Sequence, residues 1–141
     1  MVDQSTNTAV IALIGIIVGA VLTYRFKLSA NLSEQYEALK SQAYLDFVGA
    51  AAGISIAQKT NDTSREAESL ELMTNAKIRI AILGSKNVAS KTADFFRNYG
   101  ALDSPDAYMS FDLIIQEMRK DLAKNEEIEV NDINQLLFSE D

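Results

Sequence analysis

Thr8-Ala-Val-Ile-Ala-Leu-Ile-Gly-Ile-Ile-Val-Gly-Ala-Val-Leu-Thr-Tyr24 decides how this chain is organised, because no other stretch is as apolar. Its fourteen residues from Ala9 to Leu22 are all Ala, Val, Ile, Leu or Gly, and no charge interrupts the sequence from Gln4 to Tyr24. An α-helix rises about 1.5 Å per residue, so some twenty uncharged residues reach roughly 30 Å, the thickness of a bilayer's hydrocarbon core. The stretch predicts a single N-terminal transmembrane helix and a membrane anchor over residues 1–27.

Two other interpretations of this stretch are weaker. A secretory signal has a basic start and small residues at its cleavage site, whereas this chain starts Met-Val-Asp-Gln and the stretch ends in Thr23-Tyr-Arg-Phe-Lys27. A buried helix of a soluble protein rarely has so long an apolar run at the terminus. An uncleaved anchor is the expectation.

The orientation of the anchor follows from the basic residues that flank it. Arg25 and Lys27 follow the span, and no basic residue precedes it. Because basic flanks stay on the cytoplasmic side, we expect the N-terminus outside and the chain from Arg25 onward in the cytoplasm. Tyr24 and Phe26 are expected to lie at the lipid interface on the same flank.

Small residues recur along the span at a spacing of four. Gly15 and Gly19 form G-x-x-x-G, and Thr23 extends the same face by one turn. Such a face lets two membrane helices approach closely, so it predicts self-association of the anchor and a homo-oligomer. Glycine is also common in membrane helices for other reasons, and that alternative stays open.

Composition limits what the rest of the chain does. The roughly 117 residues after Tyr24 suffice for one domain. The chain contains no Cys and no His, which removes thiolate chemistry, the commonest general base and the commonest zinc ligands. The net charge is −7, with the acid concentrated after Gly100, so nucleic acid is not an expected partner. We expect no catalytic, cofactor-binding or metal-binding residues.

Apolar residues recur at helical spacing throughout residues 28–141. The predicted stripes are Leu32, Tyr36, Leu39, Ala43, Phe47, Ala50, Ile54, Ala57 in the first helix; Ala67, Leu70, Met73, Ala76, Ile80, Leu83 in the second; Val88, Thr92, Phe95, Phe96, Tyr99 in the third; and Ala107, Phe111, Ile114, Met118, Leu122 in the fourth. A strand is the alternative for residues 78–83, but no partner strand exists for it. The sequence predicts an all-α protein, in which one transmembrane helix is followed by a four-helix up-down bundle-like domain with a short C-terminal helix.

Helix ends and close contacts are also predicted by local motifs. Thr63-Ser-Arg-Glu66 has the form of a capping box, and Ser85 is expected to cap a helix. Ser104-Pro105-Asp106 has an N-cap, a proline at the first helical position and an acid in the first turn. Asn131 is the expected cap of the last helix. Gly49 and Gly53 are expected to permit close packing by a neighbouring helix.

A group of five basic residues forms a candidate interaction patch: Lys77, Arg79, Lys86, Lys91 and Arg97. Its charge suits anionic lipid headgroups or nucleic acid, since Asp94 is the only acid nearby in sequence, and the overall acidity of the chain disfavours nucleic acid. The alternative is that these side chains pair within the protein, with the acidic fourth helix.

Three segments carry a resemblance: Lys77-Ile-Arg-Ile-Ala-Ile-Leu-Gly-Ser85, Val88 with Phe95-Phe96, and Phe111-Asp-Leu-Ile-Ile-Gln-Glu-Met-Arg-Lys-Asp-Leu122. Together they resemble small uncharacterised bacterial and phage proteins with one N-terminal membrane span and a helical cytoplasmic domain. The resemblance covers roughly residues 30 to 122. It implies this architecture and a microbial origin, and it implies no catalytic residues.

The expected function is therefore a membrane-anchored helical scaffold or recruitment protein at the inner face of a bacterial membrane. Its expected partners are membrane lipid, further copies of itself and a cytoplasmic protein. The alternative is a membrane-perturbing effector or lysis-type protein of phage origin, in which associated anchors open a lesion. An enzyme that relies on carboxylates, Ser and Lys is the least favoured hypothesis.

Overall fold

The computed structural model describes residues 4–122 and 128–138. It contains five helices: α1 (Gln4–Thr60), α2 (Thr63–Leu83), α3 (Lys86–Asn98), α4 (Pro105–Asp121) and α5 (Val130–Phe138). No strand occurs in these described ranges. The prediction of an all-α protein is confirmed, and residues 78–83 lie inside α2 as expected.

The chain divides into two units, Met1–Ala38 and Leu39–Asp141. In the first unit, every side chain described from Ile11 to Ala38 is exposed. This unit includes the predicted anchor, residues 1–27, and the residues that follow it up to Ala38. Leu32 and Tyr36, which the sequence predicts on the domain's apolar stripe, are 58% and 44% exposed, so the stripe does not contribute to the core before the second unit begins.

The core of the second unit is built by all the helices that the predicted stripes identify. Its buried apolar side chains include Ala43, Phe47, Ala50, Met73, Ala76, Ile80, Val88, Phe95, Ala107, Phe111, Ile114 and Met118. Phe47 and Phe111 stack with ring centroids 5.7 Å apart, and the edge of Phe95 meets Phe111 at 5.7 Å. Aromatic pairs at these distances add stabilisation beyond the apolar area they bury.

α1 and α2 meet along a series of paired positions. Asp46 contacts Arg79 near the start of the series, and Gln58 contacts Glu66 at its far end. Between them the helices approach closely at Gly53, where an added Cβ atom would lie 2.6 Å from Oγ of Ser69. The numbering rises along α1 as it falls along α2, so within this unit the two helices run in opposite directions.

The prediction that Gly49 permits close packing by a neighbouring helix is wrong. A Cβ atom on Gly49 would have no neighbour within 4 Å, because this residue lies on the exposed side of α1. Gly53 alone serves the close approach to α2.

The predicted helix ends are largely confirmed, with two corrections. Ser85 and Ser104 cap α3 and α4 by accepting hydrogen bonds from the backbone N–H groups of Val88 and Ala107. For α2 the cap is Asp62, whose carboxylate accepts from the N–H of Arg65, rather than Thr63. α5 begins at Val130, so Asn131 lies inside this helix and is not its cap.

Candidate functional site

The predicted self-association face is open in the first unit. Cβ atoms on Gly15 and Gly19 would have no neighbour within 4 Å. The hydroxyl of Thr23 donates to the carbonyl oxygen of Gly19 at 2.8 Å, so its polar group is satisfied inside the helix. This face can therefore pack closely against an apolar surface without burying an unpaired hydroxyl.

The four residues that are expected at the lipid interface are all exposed. Tyr24 and Phe26 are 68% and 74% exposed, and Arg25 and Lys27 are exposed beside them. Aromatic rings with adjacent cations are typical of the boundary between hydrocarbon and headgroups.

In the part of the chain that the structure describes, one helical segment is long and apolar enough to cross a membrane. It lies within Ile11–Thr60, and none of the side chains in its most apolar window is buried. A helix of a protein core meets the same criteria of length and composition, but its side chains are mostly buried. The exposure of this segment therefore favours a surrounding other than the protein's own interior.

The basic patch is divided among different environments. Nη2 of Arg79 bonds Oδ2 of Asp46 at 2.6 Å, and Nη1 of Arg97 bonds Oδ1 of Asp94 at 2.6 Å. Nζ of Lys77 lies 4.3 Å from the centroid of the Phe96 ring. The alternative of pairing with the acidic α4 is wrong for both arginines, because their carboxylate partners belong to α1 and α3.

Lys86 and Lys91 form the remaining part of the patch. Lys86 is exposed in the first turn of α3, and Lys91 is half-buried further along the same helix. No ion pair joins either ammonium group to another described residue. Unlike Lys77, they also have no cation–π contact with a described aromatic ring.

A buried polar network, which the sequence did not predict, links three parts of the second unit. Nζ of Lys40 lies 3.2 Å from Oδ2 of Asp121, and the hydroxyl of Tyr44 donates to the same oxygen at 2.6 Å. The backbone N–H of Ser85 donates to the Tyr44 hydroxyl at 3.1 Å. The network therefore joins α1, the turn between α2 and α3, and the end of α4.

Burial, together with the hydrogen bond to Asp121, raises the pKa of Tyr44 well above its ordinary value. The phenol therefore remains protonated and acts as a donor to the carboxylate. A group held in this state suits a structural clamp rather than a general base. The sequence contains one signal of it: Lys40 and Tyr44 lie four residues apart on the helical face that carries Ala43 and Phe47.

Asp112 is a second buried polar residue that the sequence analysis missed. It is only 3% exposed on α4, and its Oδ1 atom has no hydrogen-bond partner among the described residues. Desolvation raises the pKa of this carboxyl group. It lies beside the predicted core residue Phe111, where no periodicity of apolar residues identifies it.

Among the residues that the structure describes, no group of three or more Asp or Glu side chains is arranged to hold a metal ion. Comparisons with models of protein families, with curated proteins and with solved structures each gave no match.

Proposed function

We propose that this protein is a single-pass membrane protein whose helical domain acts as a scaffold or recruitment platform, without catalysis, at the inner face of a bacterial membrane. In this proposal the N-terminus lies outside and the domain lies in the cytoplasm. The observation that carries it is the apolar segment of α1 from Ile11 to Leu22, whose side chains are all exposed. Moving a Val, Leu or Ile side chain from water into a hydrocarbon environment contributes about 1.5–3 kcal/mol, so the segment strongly favours lipid over water.

The proposed architecture of the domain is a four-helix up-down bundle that α5 closes. The contacts of Asp46 with Arg79 and of Gln58 with Glu66 support an antiparallel pair of α1 and α2. The connections after α2 and α3 are short, which favours antiparallel neighbours for the following helices. Lys40 and Asp121 support the return of α4 to the end of the bundle where α1 enters it.

The experiment that tests the location is fractionation of cells that express the full chain, followed by protease treatment from either side. We expect the protein to stay in the membrane pellet after a carbonate wash and its C-terminal part to resist protease added to intact spheroplasts. Release by carbonate contradicts the anchor. Digestion from outside contradicts the orientation but not the anchor.

The topology rests on Arg25 and Lys27, so a charge variant sharpens this test. Arg25→Glu with Lys27→Glu removes the basic flank, and we expect a fraction of the chains to insert with the domain outside. Lys86→Glu with Lys91→Glu changes the net charge by the same amount at positions more than sixty residues beyond the span in sequence, and we expect its topology to match that of the wild type.

A recruitment role requires a surface for a cytoplasmic partner. Lys86 and Lys91 are the cations of the patch for which the described residues provide neither an ion pair nor a cation–π contact, which favours an acidic protein surface as the occupant. We expect Lys86→Glu with Lys91→Glu to abolish co-purification of a cytoplasmic protein that the wild type retains. If Arg97→Glu, at an exposed residue that already pairs with Asp94, abolishes it equally, the effect is one of general charge.

A membrane-perturbing effector is the second candidate, and the open face at Gly15 and Gly19 favours it because associated anchors are what a lesion requires. The span has no polar residue at its middle to line a pore, which favours the scaffold. Membrane potential distinguishes the two. A collapse on expression of the full chain, but not of residues 28–141, supports the effector, and an unchanged potential supports the scaffold.

A further inference from the structure

The second unit contains a cavity between the helices α1, α2, α3 and α4 and the loop that joins α3 to α4. Its volume is about 420 Å³. This falls in the range of roughly 300–1,000 Å³ that small-molecule sites occupy. Its lining is mainly apolar, with a few polar groups, which is the usual composition of a ligand site.

The inner wall of the cavity is aromatic. Phe95, Phe96 and Phe111 all line it, and the ring centroids of Phe95 lie 5.1 Å from Phe96 and 5.7 Å from Phe111. Met73 contributes a thioether to the same lining. Ring edges and faces together with sulfur favour an aromatic ring as the occupant over an alkyl chain.

The two ends of the cavity differ in charge. Among the described residues that line the cavity, Lys77 is the only charged one. Its Nζ lies 4.3 Å from the centroid of the Phe96 ring. At the other end, the amide of Gln58 donates to Glu66, which lies eleven residues before Lys77 on α2 or about 16 Å along the helix. An anionic group is therefore attracted to the Lys77 end and repelled from the Glu66 end.

We propose that this cavity binds a small aromatic carboxylate, with its ring against Phe95, Phe96 and Met73 and its carboxylate on Lys77. The volume sets the size of the ligand. A water molecule occupies about 30 Å³ of the liquid, so the cavity accommodates roughly a dozen non-hydrogen atoms, as in two fused rings that bear a carboxylate. The site depends on the second unit alone and is independent of the membrane function proposed above.

The test uses the full chain in lipid nanodiscs, with 2-naphthoate as the probe and saturation-transfer NMR as the readout. We expect saturable binding, and binding of the neutral 2-naphthamide that is weaker by about tenfold because it lacks the charge-assisted contact. Nanodiscs without protein report the partition of the probe into lipid.

Two variants locate the binding. Lys77→Gln removes the cation, and we expect it to weaken naphthoate about tenfold while it leaves naphthamide unchanged. The matched control is Lys91→Gln, which removes a cation of the same patch that does not line the cavity. Ala101→Trp fills the mouth from an exposed loop position, and we expect it to weaken both probes without loss of helical circular dichroism.

Three results overturn the proposal. One is a signal of the same size in nanodiscs without protein, which means that the probe is in lipid only. Another is an equal loss in the Lys77 and Lys91 variants, which means that net charge attracts the probe to the surface. The third is unchanged binding in Ala101→Trp, which places any bound probe outside this cavity.

Discussion

The hydroxyl of Tyr44 lies 2.6 Å from Oδ2 of Asp121, a residue 77 positions later in the chain. Lys40 holds the same carboxylate oxygen from the preceding turn of α1, at 3.2 Å. The side chains of this ion pair are 7% and 18% exposed, so both partners are largely withdrawn from water. Burying a carboxylate costs free energy that pairing and hydrogen bonds offset, so α1 and the end of α4 depend on each other at this point.

Tyr44→Phe tests the hydroxyl alone, because it keeps the ring and its packing. It removes the donor to Asp121 and leaves the backbone N–H of Ser85 without its acceptor. Loss of a buried hydrogen-bond partner costs about 1–3 kcal/mol, and we expect the free energy of unfolding to fall by that amount. The measurement is guanidinium unfolding of the detergent-solubilised full chain, followed by far-ultraviolet circular dichroism.

Tyr99→Phe is the matched control for this variant. Tyr99 is 40% exposed at the end of α3, and we expect its loss of a hydroxyl to change the stability by less than about 0.5 kcal/mol. Equal stability of Tyr44→Phe and the wild type would mean that the hydroxyl contributes nothing to the clamp.

The Tyr44–Asp121 contact also marks the limit of what the sequence predicts. The N-terminal starts of α3 and α4 were predicted correctly because Ser85 and Ser104 accept hydrogen bonds from backbone N–H groups only three residues away. Most of each core stripe was predicted correctly for a similar reason, since helical periodicity is local. Four residues on the stripes of the second unit are nevertheless exposed, namely Leu39, Ala67, Leu70 and Tyr99. Asp121 lies at the end of α4 among charged neighbours, and its burial depends on α1, which local sequence patterns do not report. The same reason explains why Asp112 was missed.

Asp112→Asn is expected to stabilise the protein at neutral pH. The buried carboxylate of Asp112 has an Oδ1 atom without a partner among the described residues, and the asparagine carries no charge that must be desolvated. Because desolvation raises the pKa of Asp112 in the folded state, the native protein loses stability as the pH rises through that pKa. We expect a gain of about 1–3 kcal/mol in the free energy of unfolding at pH 7, which shrinks as the pH falls toward about 4.

Asp46→Asn is the control of opposite sign for this pH dependence. The hydrogen bond from Arg79, followed by that from Gln42, lowers the pKa of Asp46. The stabilisation that ionised Asp46 gives to the folded state is therefore present above the pKa of an unfolded aspartate, about 3.9. It is lost as the pH falls through the pKa of Asp46 in the folded protein. We expect this variant to be less stable than the wild type at pH 7 by up to about 1 kcal/mol. A destabilised Asp112→Asn at neutral pH would contradict our account of Asp112.

Gly53→Ala is expected to destabilise the contact between α1 and α2. The new Cβ atom would lie 2.6 Å from Oγ and 3.3 Å from Cβ of Ser69, so Ser69 must rotate and the helices must separate slightly. Overpacking of this kind costs about 1–3 kcal/mol, which exceeds the gain of roughly 0.5–1 kcal/mol from replacing a helical glycine. The measurement is the midpoint of thermal unfolding by circular dichroism.

Gly49→Ala makes the same chemical change four residues earlier on α1. A Cβ atom there would have no neighbour within 4 Å, so only the gain in helix propensity remains. We expect a midpoint equal to or above that of the wild type. If both variants behave alike, the close approach at Gly53 does not limit the packing of the two helices.

Gly15→Leu with Gly19→Leu is expected to weaken self-association of the full chain in a bilayer. The face that these glycines form is open, and Thr23 already donates to the carbonyl of Gly19, so association depends on close packing of backbones rather than on a hydrogen bond between helices. Two leucine side chains hold the backbones apart and remove most of that dispersion contact.

The matched control is Ile17→Leu with Val21→Leu, whose positions lie about 200° around the helix from the two glycines. Energy transfer between donor-labelled and acceptor-labelled copies in liposomes should fall only in the glycine variant. An equal fall in both variants would mean that the bulk of the span matters rather than its face, and no fall in either would leave the domain as the source of any oligomer.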